Sequence, residues 1–300
     1  MLQILTHDIL PVFSMLALGF LLGRTAKVSR EEAGAVNRVA FLILQPALIF
    51  PLISALDWSA FRFEALAAYA GAQVLLFGLA FTVCRMLFKR ELLEAWLLAM
   101  AVIFVNTLLY IWPISFLIYG EAAALPVTAI VAWDSAISFA FFIVTTDLMA
   151  NRGGGPGPAM KRIVSNPVLI AIALGLVVNL LGLTVPEPVL TAMGFAGAGA
   201  APLTLFALGV ILSSHALMPT RLIGTVAMLK LLAFPALVAG TVWMVAAPTD
   251  WQTLFTLTAA GPSGAMAFSL ALLYRVRTDS IAPVIIWTSL LSLLSLAWLA

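Results

Sequence analysis

Asn106-Thr107-Leu108-Leu109-Tyr110-Ile111-Trp112-Pro113 and Gly261-Pro262-Ser263-Gly264 interrupt two long apolar runs near their middles, at corresponding places in the two halves of the chain. Proline has no N–H to donate and crowds the carbonyl four residues earlier. An apolar helix that carries one therefore leaves backbone groups in need of partners other than lipid. Two matched interruptions point to a site near the midplane of a membrane.

The composition supports that setting. Of 300 residues, 63% are hydrophobic and 9% charged, with a mean hydropathy of +1.13. Such a chain is apolar nearly all round rather than on one face, and is expected to be an integral membrane protein whose partner is the lipid bilayer. Arg24, Lys27 and Arg30 follow the first apolar run instead of preceding it, the reverse of a secretory signal, so that run is expected to stay as a membrane helix. Cys84 is the single cysteine, which excludes an intrachain disulfide and a thiolate metal site.

Apolar stretches of about 20 residues predict ten spans, near 5–23, 35–54, 61–84, 92–118, 123–148, 165–182, 196–214, 219–246, 252–274 and 280–299. Lys and Arg concentrate in cytoplasmic loops, which tests the count independently. Of the 15 present, 13 fall in or beside alternate connections, leaving Arg62 on the other face and Lys230 inside a span. Both termini are then expected on the periplasmic or extracellular side of a bacterial inner membrane.

The longest polar connection, 151–164, holds Gly153-Gly154-Gly155-Pro156-Gly157-Pro158 and reads as a flexible cytoplasmic joint between halves 1–150 and 165–300. One offset of 156 sets Pro11 on Pro167, Gly19 on Gly175, Pro46 on Pro202, Phe50 on Phe206 and Asn106 on Pro262. Five spans per half is an odd number, so the second copy enters the membrane from the opposite side. The expected fold is all-α, with ten transmembrane helices in two inverted five-helix repeats.

Leu10-Pro11-Val12-Phe13 through Gly19 and Gly23, Ser29-Arg30-Glu31-Glu32, Asn37 and Gln45-Pro46-Ala47-Leu48-Ile49-Phe50 resemble the amino-terminal region of the auxin efflux carrier family. Asn166-Pro167 with Gly175, Asn179 and Gly182, Ala200-Ala201-Pro202-Leu203, Lys230 with Pro235, and Pro262 to Phe268 followed by Tyr274 are similar to its carboxy-terminal half. The resemblance covers essentially the whole chain. It implies that spans 1, 2, 6 and 7 form a scaffold, that the others form a moving bundle, and that the fourth and ninth unwind and cross beside the substrate. Two positions depart from the family: Leu108 to Trp112 stand where glycines usually follow Asn-Thr, and Met266 stands where an asparagine is frequent.

The half-helices starting after Pro113 and at Ser263 are expected to aim unpaired amides and positive dipole ends at the crossing. Asn106 donates and accepts, Thr107 and Ser263 add hydroxyls, and Gly261 and Gly264 beside Pro262 admit close backbone approach. A small carboxylate or other organic anion is the expected guest. The plainer alternative is a pair of kinks whose freed carbonyls bond to neighbouring helices. Gln45, an amide at membrane depth, either faces the cargo or makes a packing hydrogen bond. Asp134 lies near mid-span. It either binds a coupling proton or orients substrate, pairs with Lys230, or meets a wet vestibule. Lys230 is about 13 Å along the helix from Arg221 at the usual rise. It either snorkels to the interface, joins an ion pair, or attracts the anion.

Other chemistries lack their residues. His7 and His215 are far apart with no carboxylate cluster, so no metal is expected; Ser263 has no evident base; and Gly153 to Pro158 lacks the Lys and Ser/Thr of a phosphate loop. No enzyme activity, cofactor or nucleic-acid partner is expected. The reading is a secondary or facilitative transporter of a small organic anion by alternating access, with proton or sodium coupling and a homodimer left open. A sodium-coupled symporter of the bile-acid type and a nontransporting membrane receptor are the alternatives.

Overall fold

The computed structural model describes residues 1–150, 157–215 and 217–300. Its elements are helices: α1 (Leu2–Arg24), α2 (Arg30–Ser54), α3 (Phe63–Leu87), α4 (Leu92–Ile103), α5 (Thr107–Ala150), α6 (Gly157–Val164), α7 (Pro167–Leu180), α8 (Glu187–Leu212), α9 (Arg221–Met244), α10 (Thr249–Ala259), α11 (Met266–Leu273) and α12 (Ile281–Leu299). Among the described residues no strand forms beyond one isolated β-bridge. Among the described residues, seven helices (α1, α2, α3, α5, α8, α9 and α12) are long and apolar enough to cross a membrane, or eight if α6 and α7, bent by 62°, count as one span.

The start signals are local. Ser29 and Glu32 close a capping box on α2, the Asn166 carboxamide accepts from Val168 and Leu169 N–H at the head of α7, and the Thr220 hydroxyl accepts from Ile223 N–H at α9. At 44 residues, α5 would be about 66 Å long if straight, too long for one crossing. Gly120, at φ 61°, turns the chain there, and the segments on either side of it touch.

Prolines are carried inside these helices by a recurring device. Pro11, Pro46, Pro113 and Pro235 each follow by two residues the end of a five-residue π turn, Leu5–Ile9, Ala40–Leu44, Thr107–Ile111 and Leu229–Ala233 respectively. In the wider turn an N–H reaches the carbonyl five residues back, as Trp112 N–H reaches Thr107 O, which makes room for a ring that would otherwise strike the preceding turn. Pro113 consequently does not open the break in the fourth apolar run. The helix stops at Ile103, Phe104–Asn106 is non-helical, and helical geometry resumes at Thr107.

Close packing ties α1 to α8 and α2 to α7. A Cβ on Gly19 would collide with the Phe206 carbonyl, and one on Gly175 would fall 3.0 Å from the Phe50 carbonyl. The offset of 156 exchanges these two contacts, Gly19 for Gly175 and Phe206 for Phe50. Small residues at such points let membrane helices approach backbone to backbone. α8 begins at Glu187, earlier than the apolar pattern alone predicts. Of the expected joint, residues 151–156 lie outside the described residues, while Gly157–Val164 forms α6. The Arg162 guanidinium on α6 lies 2.5 Å from the Asp147 carboxylate on α5, which also accepts from the Tyr274 hydroxyl at 2.7 Å.

Candidate functional site

The two interruptions meet. Val105 and Ser263 form an antiparallel bridge, Asn106 N–H donates to Pro262 O at 3.0 Å, and Gly264 N–H donates to Phe104 O at 2.8 Å. Extended backbone at membrane depth needs partners. Here each break satisfies the other.

The carbonyl ends of the helices that stop at the crossing are bonded by side chains. At the end of α4, Ala101 O accepts from the Ser263 hydroxyl at 2.6 Å and Ile103 O from the Gln73 amide at 3.3 Å. At the end of α10, Ala259 O accepts from the Lys230 ammonium at 3.1 Å and Ala260 O from the Ser295 hydroxyl at 3.0 Å. The amide ends differ. Asn106 precedes α5 and Ala265 precedes α11, and neither side chain caps its helix. First-turn N–H groups there have no intrahelical acceptor and carry the positive end of the dipole.

Those amide ends border a cavity of about 380 Å³, within the usual range for small-molecule sites. Thr107, Leu108 and Leu109 line it from the head of α5, and Gly264, Ala265 and Met266 from the approach to α11. Asn37, Gln45, Asn106, Asn166 and Thr204 contribute polar groups, and Phe41, Phe104, Phe139 and Phe268 contribute apolar walls. Gln45 donates to the Thr204 hydroxyl at 3.3 Å, joining α2 to α8 across the wall. Among the described residues, Asp134 is the charged one that lines the cavity.

Asp134 is buried in a network. One carboxylate oxygen accepts from Gln73 Nε2 at 2.8 Å and the Ser138 hydroxyl at 3.5 Å; the other accepts from the Tyr69 and Thr107 hydroxyls, both at 3.4 Å. The indole N–H of Trp133 donates to Gln73 Oε1 at 2.7 Å. Because an indole can only donate, it orients the Gln73 amide with NH₂ toward Asp134 and Ile103.

Of the residues singled out in the sequence, Gln45, Asn106, Thr107, Asp134 and Gly264 line the cavity; Gly261, Pro262 and Ser263 build the crossing behind it. Pro113 sits further along α5, outside the cavity lining, and Lys230 is fully buried behind α10, its ammonium 4.6 Å from the Phe234 ring centroid. Among the described residues no ion pair joins Lys230 to Asp134 within 4 Å. Sequence reasoning missed Gln73, Tyr69 and Trp133. The signal for Gln73 was present: it is the amide in the apolar run 61–84.

Residues 4–155 and 157–299 match the pattern of a protein family described as "Membrane transport protein". A protein of Rhizobium meliloti (strain 1021), described as "Putative malonate transporter", is 28% identical over 300 residues, covering 96% of this chain and 92% of that one. A protein of Methanothermobacter thermautotrophicus (strain Delta H), described as "Uncharacterized transporter", is 27% identical over 296 residues, covering 97% of this chain and 96% of that one.

Proposed function

This chain belongs to the membrane transport protein family, that of the auxin efflux carriers, and from that membership we propose that it carries a small carboxylate across the inner membrane by alternating access. It is a multi-pass transporter and not an enzyme. The observation that carries the cargo reading is the contrast between the ends of the broken helices. Their carbonyl ends are bonded within the protein, whereas the amide ends at Thr107 and Met266 face a cavity uncapped. Backbone N–H groups at a helix head suit an anion. The relative described as a malonate transporter favours a short carboxylate.

In this reading Asn106, Thr107, Gly264 and Gln45 contact the cargo. Pro262, Ser263 and Gly261 hold the crossing, and Asp134 couples transport to a proton. α4 with the first part of α5 makes one pass, the rest of α5 another, and α10 with α11 a third. Counting α6 and α7 together then gives ten passes in two inverted repeats, with both termini outside. The exchanged glycine contacts of Gly19 and Gly175 support that symmetry.

The test is uptake of labelled malonate into proteoliposomes holding the purified protein, with an uncharged diamide and a short diamine of matched length as controls. Saturable uptake competed by carboxylates and not by the controls is expected. Stabilisation by carboxylates without flux would overturn the carrier reading in favour of a receptor. Indifference to carboxylates would overturn the cargo.

A further inference from the structure

The carbonyl ends of α4 and α10 are neutralised in different ways. Ile103 and Ala259, the last residues of these helices, correspond under the offset of 156. At Ile103 the donor is the neutral Gln73 amide from α3; at Ala259 it is the Lys230 ammonium from α9. A helix end carries roughly half a negative charge, and broken membrane helices use such ends to coordinate sodium or protons. A free cation there would need carbonyl oxygen and shielding from lipid. Lys230 has both: Ala259 O at 3.1 Å, the face of the Phe234 ring, and no exposed surface.

The geometry points to Lys230 as a tethered cation that fills, with its own ammonium, the position a coupling sodium ion would otherwise take at the end of α10. The inference rests on the carrier reading for its consequence, which is sodium-independent transport. Its test reads cation dependence of stability, which a wrong choice of cargo would not alter. A hydrogen bond alone does not require Lys at this position, since Gln73 serves at the matched carbonyl. Charge is what Lys adds. The other groups bonded at this end, Ser295 of α12 on Ala260 O and Gly261 N–H on Thr258 O, are neutral, and the charged group whose field reaches Lys230 is Asp134.

The experiment follows thermal unfolding of the purified full-length protein in sodium, potassium and choline chlorides at equal ionic strength. Wild type is expected to give one midpoint in all three salts. Lys230→Arg is expected to behave alike. Lys230→Ala is expected to show a lowered midpoint in choline chloride that rises with added sodium or with ethylammonium, which restores the missing charge. Lys230→Gln, which keeps a donor without charge, is expected to fall with the alanine variant. A wild-type midpoint that rises with sodium would overturn the inference whether or not any variant can be purified. So would a Lys230→Gln protein as stable as wild type.

Discussion

Replacing Gly264 by alanine tests whether the two breaks support one another. A Cβ at that position would lie 2.9 Å from Phe104 Cδ1 and 3.1 Å from Val105 O. The ring can rotate away; the carbonyl belongs to the bridged segment and cannot. Ordinary contact starts near 3.4 Å, so the strands must separate by several tenths of an ångström. The Gly264 N–H to Phe104 O bond, now 2.8 Å, is then lengthened toward the upper end of the usual N–H···O range. The strain of overpacking, with that bond weakened, costs about 1–3 kcal/mol. That is a factor of roughly 5 to 150 in the equilibrium for the paired crossing. Gly240→Ala is the control, because that glycine sits in α9 with nothing within 4 Å of an added Cβ. Alanine there is expected to stabilise by about 0.5–1 kcal/mol through helix propensity. Thermal unfolding in detergent, followed by tryptophan fluorescence, compares the two, and malonate uptake should be lost in Gly264→Ala alone. Equal midpoints for both variants would refute the paired-break reasoning.

Three further substitutions examine the surroundings. Gln73→Leu removes two donated hydrogen bonds and the acceptor for Trp133, and is expected to lower stability by about 2–4 kcal/mol, measured by the same unfolding assay. Asn179→Ala breaks bonds from its amide to Ser54 O and Leu56 O, both 2.9 Å, and its bond with the Trp58 indole. It should cost about 1–3 kcal/mol while leaving carboxylate affinity unchanged, because Asn179 lies away from the cavity; an altered dissociation constant would contradict that. Asp147→Asn weakens the contacts to Arg162 and Tyr274, and a loss of about 1–3 kcal/mol is expected, read from the midpoint.

Much of the frame is visible in the composition, because lipid leaves a chain few choices: long apolar runs must be helical, and their interruptions must find partners. The positions of Asn106 and of Gly261 to Gly264 followed from that constraint. Their register did not. The pairing of Val105 with Ser263 depends on how two distant segments fold against each other, and no local pattern encodes it. Pro113 misled for a local reason, since a π turn can absorb a proline as well as a break can. Gln73 was hidden because its meaning lies in partners on α5, sixty residues on. Lys230, read as a snorkelling residue, a member of an ion pair or an attractor of the anion, proves to be bonded to a helix end.

The charge on the cavity wall has a consequence for coupling. Asp134 carries the same sign as the proposed cargo and is the charged residue lining the space. Two carboxylates about 6 Å apart at an effective dielectric near 20 repel by about 3 kcal/mol, enough to weaken binding by roughly a hundredfold. The helix heads offset part of this, and a proton on Asp134 removes it. Anion and proton should therefore bind together. For a monocarboxylate that stays ionised throughout the range, affinity should fall by up to about tenfold per pH unit as pH rises through the titration of the site, the slope for one linked proton. Asp134→Asn deletes the charge and should bind the same anion with a flat pH profile. Its uptake should no longer respond to an imposed proton gradient. Calorimetric titrations at several pH values measure the slope directly, and an Asn variant that keeps the wild-type slope would show that the proton is held elsewhere.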